Sequence, residues 1–561
     1  MLMEGKKALL ALSFAIAGAM APSAALAGAN SKLEKLFKDW RAFVKPDVTA
    51  CIPDYSAGAM AAKAKGLEDF KARLAAIDTK GWPQKDLGDA RLLKAEMNGM
   101  DYDLRVLKPF ARDPGFYASV FGEESDVPDH EGPSAFPAID LYKYKYPLSK
   151  RDQKDLTCLL GAVPALFEQA KENLKDSNAR DLWLYSERTF RFQSVTLDAF
   201  AKSGLSMRTL EGAVKADLTG ADEALIKAIA EAKQASDSFR DWIIAETPAK
   251  TGPSGPGVEN YDWHAKNVLL SPYSWQEQVT LLRRELERSR TALAVEEFRN
   301  RDLPPLDPVD DAEEWNKMAF SMMKKITDFM IEGGIVEDKD YFRAAMNAQI
   351  GEYTPPEDRN FFAHGLARDP SGLYSHDYHW IELAMRKFEP NKDRIRAATP
   401  VFDIYEARSE GMATAMEELL LHAGFYDDHP RGREIIWMML ANRAARGLAS
   451  LYVQANEMTL EEAGEFHGRW TPRGWADSKS DLVAFEQLLY LRQPGYGAAY
   501  ITGKMELDRL ISDYAFDQEQ KGAAFSLPGF FRKLNESGIV PFAIIERDMT
   551  DEALTKALPE Q

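Results

Sequence analysis

Cysteine and long apolar runs are both scarce in this sequence. The first shortage argues against cysteine chemistry and the second against a membrane-spanning protein. Only Cys51 and Cys158 are present among 561 residues, so neither cysteine catalysis nor a cysteine-based metal site is indicated. Their spacing leaves open whether they form a disulfide or stay as two thiols. The longest apolar run has about 13 residues, fewer than the roughly 20 that span a bilayer. The sequence therefore does not predict a membrane-spanning protein.

Basic residues are also fewer than acidic ones. The chain has 70 Lys and Arg against 88 Asp and Glu, a net charge of −18. Because a negative field repels phosphate, we do not expect nucleic acid as a partner. Charged residues make up 28% and hydrophobic residues 45% of the chain, which is typical of a globular protein with a large buried core.

Residues 1–27 have the pattern of a secretory signal peptide. Lys6 and Lys7 precede the apolar run "ALLALSFAIAGAM", and Ala25 and Ala27 occupy the small positions of a cleavage site. We expect cleavage after Ala27, a periplasmic or secreted protein and no membrane insertion. The alternative is a retained anchor. No cysteine stands at the expected cut, so lipid anchoring is not indicated. Removing this segment of net charge +1 leaves −19 on the mature chain.

Apolar residues recur every three or four positions along most of the chain, whereas strand-like alternation is rare. Breaks rich in Pro, Gly and Asp fall at 249–263, 300–311 and 353–372. The pattern predicts a mainly α, large two-lobed helical fold with a central cleft. The expected lobes are 28–252 and 253–561, and the second would carry the site.

Several residues have the types and positions of helix caps. Ser274 and Asp217 precede helical runs, and Thr459 begins a capping box with Glu462. Gly424 follows the expected end of a helix. These caps predict where individual helices begin and end.

The segment "LYSHDYHWIEL", residues 373–383, contains two of the chain's eight histidines. A short helix over 374–388, capped by Ser375, would put His376 and His379 three residues apart on one face. A following helix over 403–423 presents a row of acidic residues: Glu406, Glu410 and Glu417. Two imidazoles and one carboxylate make a zinc-type ligand set with an open position for water. The alternative is that the histidines cap or line a surface and that the glutamates are solvated.

The succession of sequence blocks along the chain resembles a known bacterial family. The blocks are "NYDWHAKNVLLSPYSWQEQVTLLRRELERSRTALAVEEFRNR", the histidine segment, "EARSEGMATAMEELLLHAGFYDDHPRGRE", "NRAARGLASLY", "TLEEA" and "QPGYGAAYITGKMELDRL". Together they resemble domain of unknown function 885 (DUF885), most clearly over 258–545. Members of this family resemble helical zinc peptidases of the carboxypeptidase Taq and gluzincin type. The resemblance implies a mostly α fold with a metal site deep in a long cleft.

The family's motif H-E-x-x-P-G-H, followed by E-G-W-A, implies roles for individual residues. His376 matches the first histidine, Asp377 the catalytic glutamate with one methylene fewer, and Glu410 in "EGMA" the third ligand. The second histidine falls on Glu382 without a gap, or on His379 after a gap of three residues. Both ligand sets remain open.

A later block departs from the family pattern R-A-x-R-L-V-V-D-T-G-I-H. This chain reads "RAARGLASLYVQ", in which Ser450 and Gln454 replace the acid and the histidine. The departure marks a divergent branch. Loss of the activity or a changed reaction therefore stays open beside peptidase chemistry.

Further side chains have the chemistry to assist hydrolysis. Asp377 or Glu382 would take a proton from water, and Tyr496 or Tyr500 would stabilise an oxyanion. Basic residues that could hold a substrate carboxylate are Arg443, Arg446 and Lys504. The two tyrosines are equally consistent with helix packing. For the arginines, pairing with the Glu406 and Glu410 row is the favoured interpretation, and we expect Arg408 to pair with acids too.

The leading hypothesis is an exported metal-dependent hydrolase of peptide or other amide bonds, with zinc held by His376, His379 and Glu410. Its partner would be a small-molecule or peptide substrate. One alternative is a metal-free binding or scaffold protein that has lost the site. Another is a non-hydrolytic enzyme, such as a lyase, that transfers protons in the same cleft.

Overall fold

The structure is a computed structural model that describes residues 23–549. Helices account for 66% of the chain and strands for 3%, which confirms the predicted mainly α fold. Most of the predicted signal peptide, residues 1–22, lies outside the described residues. Across residues 23–549, no helix combines the length and the apolar character needed to cross a membrane.

The N-terminal part of the chain carries all of the short strand pairs among the described residues. Its helices are α1 (Ser23–Phe43), α2 (Ala57–Ala75), α3 (Gln84–Tyr102), α4 (Pro109–Arg112), α5 (Lys150–Leu174), α6 (Arg180–Ala201) and α7 (Glu223–Glu246). Its strands are β1 (Val48–Thr49), β2 (Ile52–Pro53), β3 (Val120–Phe121), β4 (Ile139–Asp140), β5 (Ser206–Met207) and β6 (Val214–Lys215). The pairs β1–β2 and β5–β6 are antiparallel, and β3–β4 is parallel.

The rest of the described chain is helical. The helices are α8 (Val258–Asn267), α9 (Trp275–Arg299), α10 (Ala312–Glu332), α11 (Asp340–Asn347), α12 (Phe361–Leu366), α13 (Ser371–His376), α14 (Tyr378–Phe388), α15 (Arg394–Ala397), α16 (Glu406–His422), α17 (Gly432–Gln454), α18 (Leu460–Trp470), α19 (Asp481–Arg492), α20 (Tyr496–Gln520), α21 (Leu527–Glu536) and α22 (Phe542–Met549). The breaks that the sequence predicted separate α7 from α8, α9 from α10 and α11 from α13.

Two large apolar cores hold these helices together. One is formed within α5, α6 and α7, around residues such as Phe167, Phe190 and Phe239. The larger one joins α1, α2 and α3 to the C-terminal helices, with Trp40 and Leu92 in the same cluster as the buried face of α17. Each fully buried side chain of this size stabilises the fold by about 1.5–3 kcal/mol. The predicted lobe boundary at 252/253 stays a prediction, but the cores group α1–α3 with the C-terminal helices.

Three of the predicted caps are present. Ser274 and Glu277 form a capping box at the start of α9, and Thr459 and Glu462 form another at α18. Gly424 follows α16 with a φ of +91°, a conformation that glycine adopts without steric cost. Capping chemistry in the sequence therefore located these three helix ends.

The predicted cap at Asp217 is wrong. Helix α7 begins six residues later, at Glu223, after Asp222. The Asp217 carboxylate instead accepts a hydrogen bond of 2.9 Å from the backbone N–H of Thr219. Asp side chains stabilise such turns as well as helix N-termini. The residue type alone therefore did not locate the start of the helix.

Helices α16 and α20 cross with their backbones in direct contact. A Cβ on Gly411 would lie 2.7 Å from the backbone nitrogen of Lys504, and a Cβ on Gly503 would lie 2.8 Å from the backbone carbonyl carbon of Ala407. Only glycine fits at such separations. The crossing brings Glu410 on α16 next to the first turns of α20, where Tyr496 lies.

Candidate metal centre

The two histidines of the 373–383 segment meet across a break between two helices. The predicted helix over 374–388 is divided at Asp377, whose φ and ψ are −60° and 4°. His376 is the last residue of α13, and His379 is the second residue of α14. The predicted cap at Ser375 is wrong, because its hydroxyl donates to the backbone oxygen of Gly372 at 2.6 Å inside α13. The histidines therefore converge without sharing one helix face.

His376, His379 and Glu410 form a compact cluster. Each of the three offers a ligand atom, and these atoms all lie within 4.8 Å of one another. The Oε2 atom of Glu410 lies 3.6 Å from Nε2 of His376 and 3.3 Å from Nε2 of His379. The side chains of His379 and Glu410 are 1% and 3% exposed, and that of His376 is 12% exposed. His376 is thus the member of the cluster that faces solvent.

These separations fit the size of a zinc ion. Zinc binds imidazole nitrogen and carboxylate oxygen at about 2.0–2.2 Å, so two tetrahedral ligands lie about 3.3–3.6 Å apart. The two distances from Glu410 to the histidines fall in this range. In addition, Nε2 of His379 and Oε2 of Glu410 are buried without a hydrogen-bond partner. A cation between them would remove the cost of leaving both groups unpaired.

The other ring nitrogen of each histidine already has a partner. Nδ1 of His376 lies 3.0 Å from Oε1 of Glu417, and Nδ1 of His379 lies 3.2 Å from the hydroxyl of Ser409. Arg443 also lies 3.2 Å from Nδ1 of His376. Its guanidinium also donates to Oε2 of Glu417 at 2.8 Å, and its Nη2 lies 2.7 Å from Oε1. A proton on Nδ1 that faces Glu417 would leave the Nε2 lone pair of His376 free for a ligand.

The electrostatics of the cluster favour positive charge. Burial raises the pKa of Glu410, but the two adjacent histidines outweigh it and hold that pKa well below its usual range. Burial lowers the pKa of His379, yet its contact with Glu410 prevails and raises it to about 9. A proton and a divalent cation would compete for this imidazole.

The predicted base Asp377 lies between the two histidines in sequence and is partly exposed. Burial raises its pKa to about 8, against the lowering effect of Arg208. Glu382, the other predicted base, is not part of the cluster. Its Oε1 lies 2.6 Å from Nη2 of Arg408, and both side chains are buried. Because Glu382 pairs with Arg408, its carboxylate does not face the cluster. Arg408 thus has an acidic partner, as the sequence predicted.

Both predicted tyrosines lie beside the cluster. The Tyr496 hydroxyl donates to Glu410 and lies 3.0 Å from Oε1 of Glu131. Burial, together with nearby Asp126 and Glu410, raises the pKa of Glu131 to about 8. Because a phenol has one proton, Glu131 in its neutral form donates to the Tyr496 oxygen while Tyr496 donates to Glu410. The Tyr500 ring stacks on His376, with 6.4 Å between ring centroids.

The basic residues predicted for substrate binding pair with other acids. Neither arginine shows the expected pairing with Glu406 or Glu410: Arg443 pairs with Glu417, another member of the predicted acidic row. Arg446 pairs with Glu486 and lies 4.3 Å from the centre of the Tyr500 ring. Lys504 lies outside the cluster, 2.8 Å from Oε2 of Glu418.

The side chains of three further residues form hydrogen bonds outside the cluster: Glu406, Ser450 and Gln454. Glu406 accepts a hydrogen bond from Gln493. The Ser450 hydroxyl donates to the backbone oxygen of Gly447 at 2.7 Å, and the Gln454 amide donates to that of Tyr490 at 2.6 Å. The two residues that replace the family's acid and histidine therefore serve helix packing.

Sequence reasoning missed the segment that closes the centre on its far side. Residues 122–138, here called the β3–β4 loop, bring Glu131 to Tyr496 from the N-terminal part of the chain. Backbone hydrogen bonds hold the loop in place: Gly132 N–H donates to Gln493 at 2.7 Å, and Arg492 donates to Pro133 O at 2.6 Å. Nothing in the loop's irregular sequence signals these contacts, because its partners lie about 360 residues away.

A sequence model of the family described as "Bacterial protein of unknown function (DUF885)" matches residues 44–299. The predicted resemblance to DUF885 is confirmed. The DUF885 match runs from the end of α1 to the end of α9 and includes the β3–β4 loop, whereas His376, His379 and Glu410 lie beyond it. The sequence resemblance was clearest over 258–545, so the two ranges overlap only at 258–299.

Two solved structures share the fold along nearly the whole chain. One is described as a "putative lipoprotein of unknown function" from Shewanella oneidensis, with a TM-score of 0.61 over 94% of this chain and 99% of that one. The other is a "putative lipoprotein" from Colwellia psychrerythraea, with a TM-score of 0.64 over 95% and 99%. Both are 14% identical to this chain, so the likeness concerns the fold alone.

No curated protein matches the chain. Neither the DUF885 description nor the descriptions of the two structures name a reaction. The predicted likeness to gluzincin and carboxypeptidase Taq peptidases stays a prediction.

Proposed function

We propose that this DUF885 relative is an exported metal-dependent hydrolase of peptide or other amide bonds, with zinc held by His376, His379 and Glu410. One observation carries the proposal: the Nε2 atoms of both histidines converge on one oxygen of Glu410 while each Nδ1 atom is held by a separate partner. This is the arrangement in which protein histidines bind metal, with their outward nitrogen fixed by hydrogen bonding.

The chain's own residues supply the remaining parts of a hydrolytic site. Zinc in such a site polarises a carbonyl and lowers the pKa of a water. Asp377, which follows His376 in sequence, is the candidate proton acceptor in its ionised form. Neutral Glu131, through Tyr496, offers a proton donor on the opposite side, next to Glu410. Arg446 and Tyr500 line the cluster near His376, the exposed ligand, and are the candidates for contact with substrate.

Export is supported by features other than the centre. The N-terminal pattern predicts a signal peptide, and the two solved neighbours are described as lipoproteins. Cys51 and Cys158 form a disulfide, a bond that persists in oxidising compartments. We propose a periplasmic or secreted location.

Metal content and turnover test the hydrolase proposal together. We expect the purified protein to hold close to one zinc per chain, and His376→Ala and His379→Ala each to lose it while their helical circular dichroism is unchanged. A chelator should abolish cleavage of a library of amide substrates, and added zinc should restore it.

Asp377→Asn provides a second readout, because it should keep zinc but lose turnover by about 10²-fold or more. Protein that takes up no zinc, with all three ligands present and the fold intact, would contradict the proposal and favour a binding protein. Zinc uptake without amide cleavage, and with elimination products from hydroxy-acid or amino-acid substrates, would favour a lyase.

A further inference from the structure

A separate cavity of about 850 Å³ lies on the far side of helices α14 and α16. Its walls also include the 331–342 segment, α15 and α21, and neither histidine of the centre nor Glu410 lines it. Ligand sites of proteins have volumes of about 300–1,000 Å³. The cavity is therefore large enough for a small molecule and is distinct from the candidate metal centre.

Part of the cavity wall is apolar. The contributing residues are Ile335, Val336, Phe342, Met385, Pro528 and Ile539. Ile335, Val336 and Phe342 are at most 5% exposed, so this wall is set in the core and not on the rim. A wall of this composition binds hydrocarbon or aromatic groups through the hydrophobic effect.

Two buried guanidinium groups line the cavity: that of Arg396 pairs with Asp89 and Asp548, whereas that of Arg408 has unpaired donors. Arg408 is 1% exposed, and its Nη2 pairs with Glu382. Its Nε and Nη1 atoms are buried without any hydrogen-bond acceptor. Leaving charged donors unpaired in the interior costs about 1–3 kcal/mol or more. A ligand that places an acceptor here would remove this cost.

The exposed rim of the cavity carries charges of both signs, since the bases Lys392 and Arg532 are exposed beside three acids. The acids Glu337, Asp338 and Glu389 have side chains that are 66%, 69% and 51% exposed, so they line the rim. Deeper, Arg386 is partly buried and contacts the hydroxyl of Thr399. Glu382 is the buried acid of the wall, and Arg408 neutralises it. The interior therefore carries an excess of positive charge.

We propose that this cavity binds a small organic anion, with its carboxylate or phosphate against Arg408 and Arg386 and its apolar body against the wall that contains Phe342. The proposal does not depend on the hydrolase proposal, because the two sites share no lining residue. Arg532, on α21, adds a third positive charge at the cavity edge.

Calorimetric titration of the purified protein with octanoate, octyl phosphate and neutral octanamide tests the ligand class. We expect one anion to bind at least about tenfold more tightly than octanamide, since a charged hydrogen bond of about 1.5–3 kcal/mol corresponds to a factor of ten or more. The ratio of octanoate to octyl phosphate affinity identifies the anionic group. Equal binding of octanamide, or no binding of any of the three, overturns the proposal.

Matched variants locate the site. Arg386→Gln should weaken anion binding by about tenfold and Arg532→Gln by about threefold, within the range for charged contacts. The controls Lys387→Gln and Lys533→Gln make the same charge change on neighbouring residues that contact Glu211 and Tyr514 instead. Both controls should bind the anion as the unchanged protein does. Unchanged binding by folded Arg386→Gln overturns the proposal.

Arg408 needs a paired change, because removing it alone would leave Glu382 as an unpaired buried charge. The double variant Glu382→Gln with Arg408→Gln removes both charges and should lose the preference for anions over octanamide. The double variant His376→Ala with His379→Ala should keep it. Loss of anion binding in the histidine variant would place the anion at the candidate metal centre and overturn the proposal.

Discussion

At the scale of single residues, Glu417 is the buried acid that contacts the Nδ1 atom of His376 beside the candidate centre. It is fully buried, forms an ion pair with Arg443 and faces Nδ1 of His376. Because a histidine ligand binds metal best when its other nitrogen is fixed, Glu417 acts on the centre through His376 without touching the ligand position. It is a positioning residue.

Glu417→Gln should therefore weaken zinc binding by about 10- to 100-fold, the range typical of such outer contacts. The neighbouring Glu418 offers a matched control, since it is also buried and paired with an arginine, Arg288, but its histidine contact is the exposed His422 and not a member of the cluster. Glu418→Gln should lose comparable thermal stability and keep its zinc affinity. Competition with a chromogenic chelator measures both affinities. Equal affinities for the two variants would show that Glu417 serves the fold alone.

The members of the cluster could be picked out in the sequence by residue type and by the local spacing of the two histidines. Histidine at 376 and 379 and the "EGMA" run at 410 are visible without coordinates. Ser409 and Glu131 could not be predicted, since their roles arise from the packing of helices and from a contact between distant parts of the chain. Glu382 was predicted as a base from its type and spacing, but the structure pairs it with Arg408.

At the scale of helices, the contact between α16 and α20 sets the geometry of the centre. Gly411 and Gly503 let the two backbones touch, which places Glu410 beside the Tyr496 hydroxyl. The sequence predicted the first of these helices, over 403–423, but not its crossing with α20, because neither glycine is distinguished from others in the sequence by its type. The break at Asp377 was missed for a related reason, since the residues on both sides of it favour helix.

Gly503→Ala should destabilise the protein by about 1–3 kcal/mol, because the added methyl group must force α20 away from Ala407. The same substitution at Gly161, in the interior of α5, meets no atom within 4 Å. There it should stabilise the protein by up to about 1 kcal/mol through helix propensity. Urea denaturation followed by circular dichroism measures both changes. A shift of the same sign for the two variants would contradict the close approach of α16 and α20.

At the scale of the whole molecule, the Cys51–Cys158 disulfide joins the segment that leads into α2 to helix α5. Cys51 lies between β1 and β2, just before α2, and Cys158 lies in α5. Helix α2 packs in the larger core and α5 in the second one. The sequence could not decide whether these cysteines pair, because 107 residues separate them.

Removing this disulfide with Cys51→Ser and Cys158→Ser should lower stability by up to about 4–5 kcal/mol, the chain-entropy value for a loop of this length. Calorimetry should show a lower Tm for the double variant. A reducing agent should lower the Tm of the unchanged protein by a similar amount and leave the double variant unaffected. An unchanged Tm after thiol titration has confirmed two free thiols would contradict a stabilising role.

The β3–β4 loop has a consequence for the order in which the protein matures. Glu131 precedes its partner Tyr496 by 365 residues, and contacts of such long range form late and slowly. An intermediate that has formed α13 to α16 but has not docked this loop would hold His376, His379 and Glu410 without their outer acid. Zinc binding at its full affinity would then require that the β3–β4 loop has docked against the start of α20.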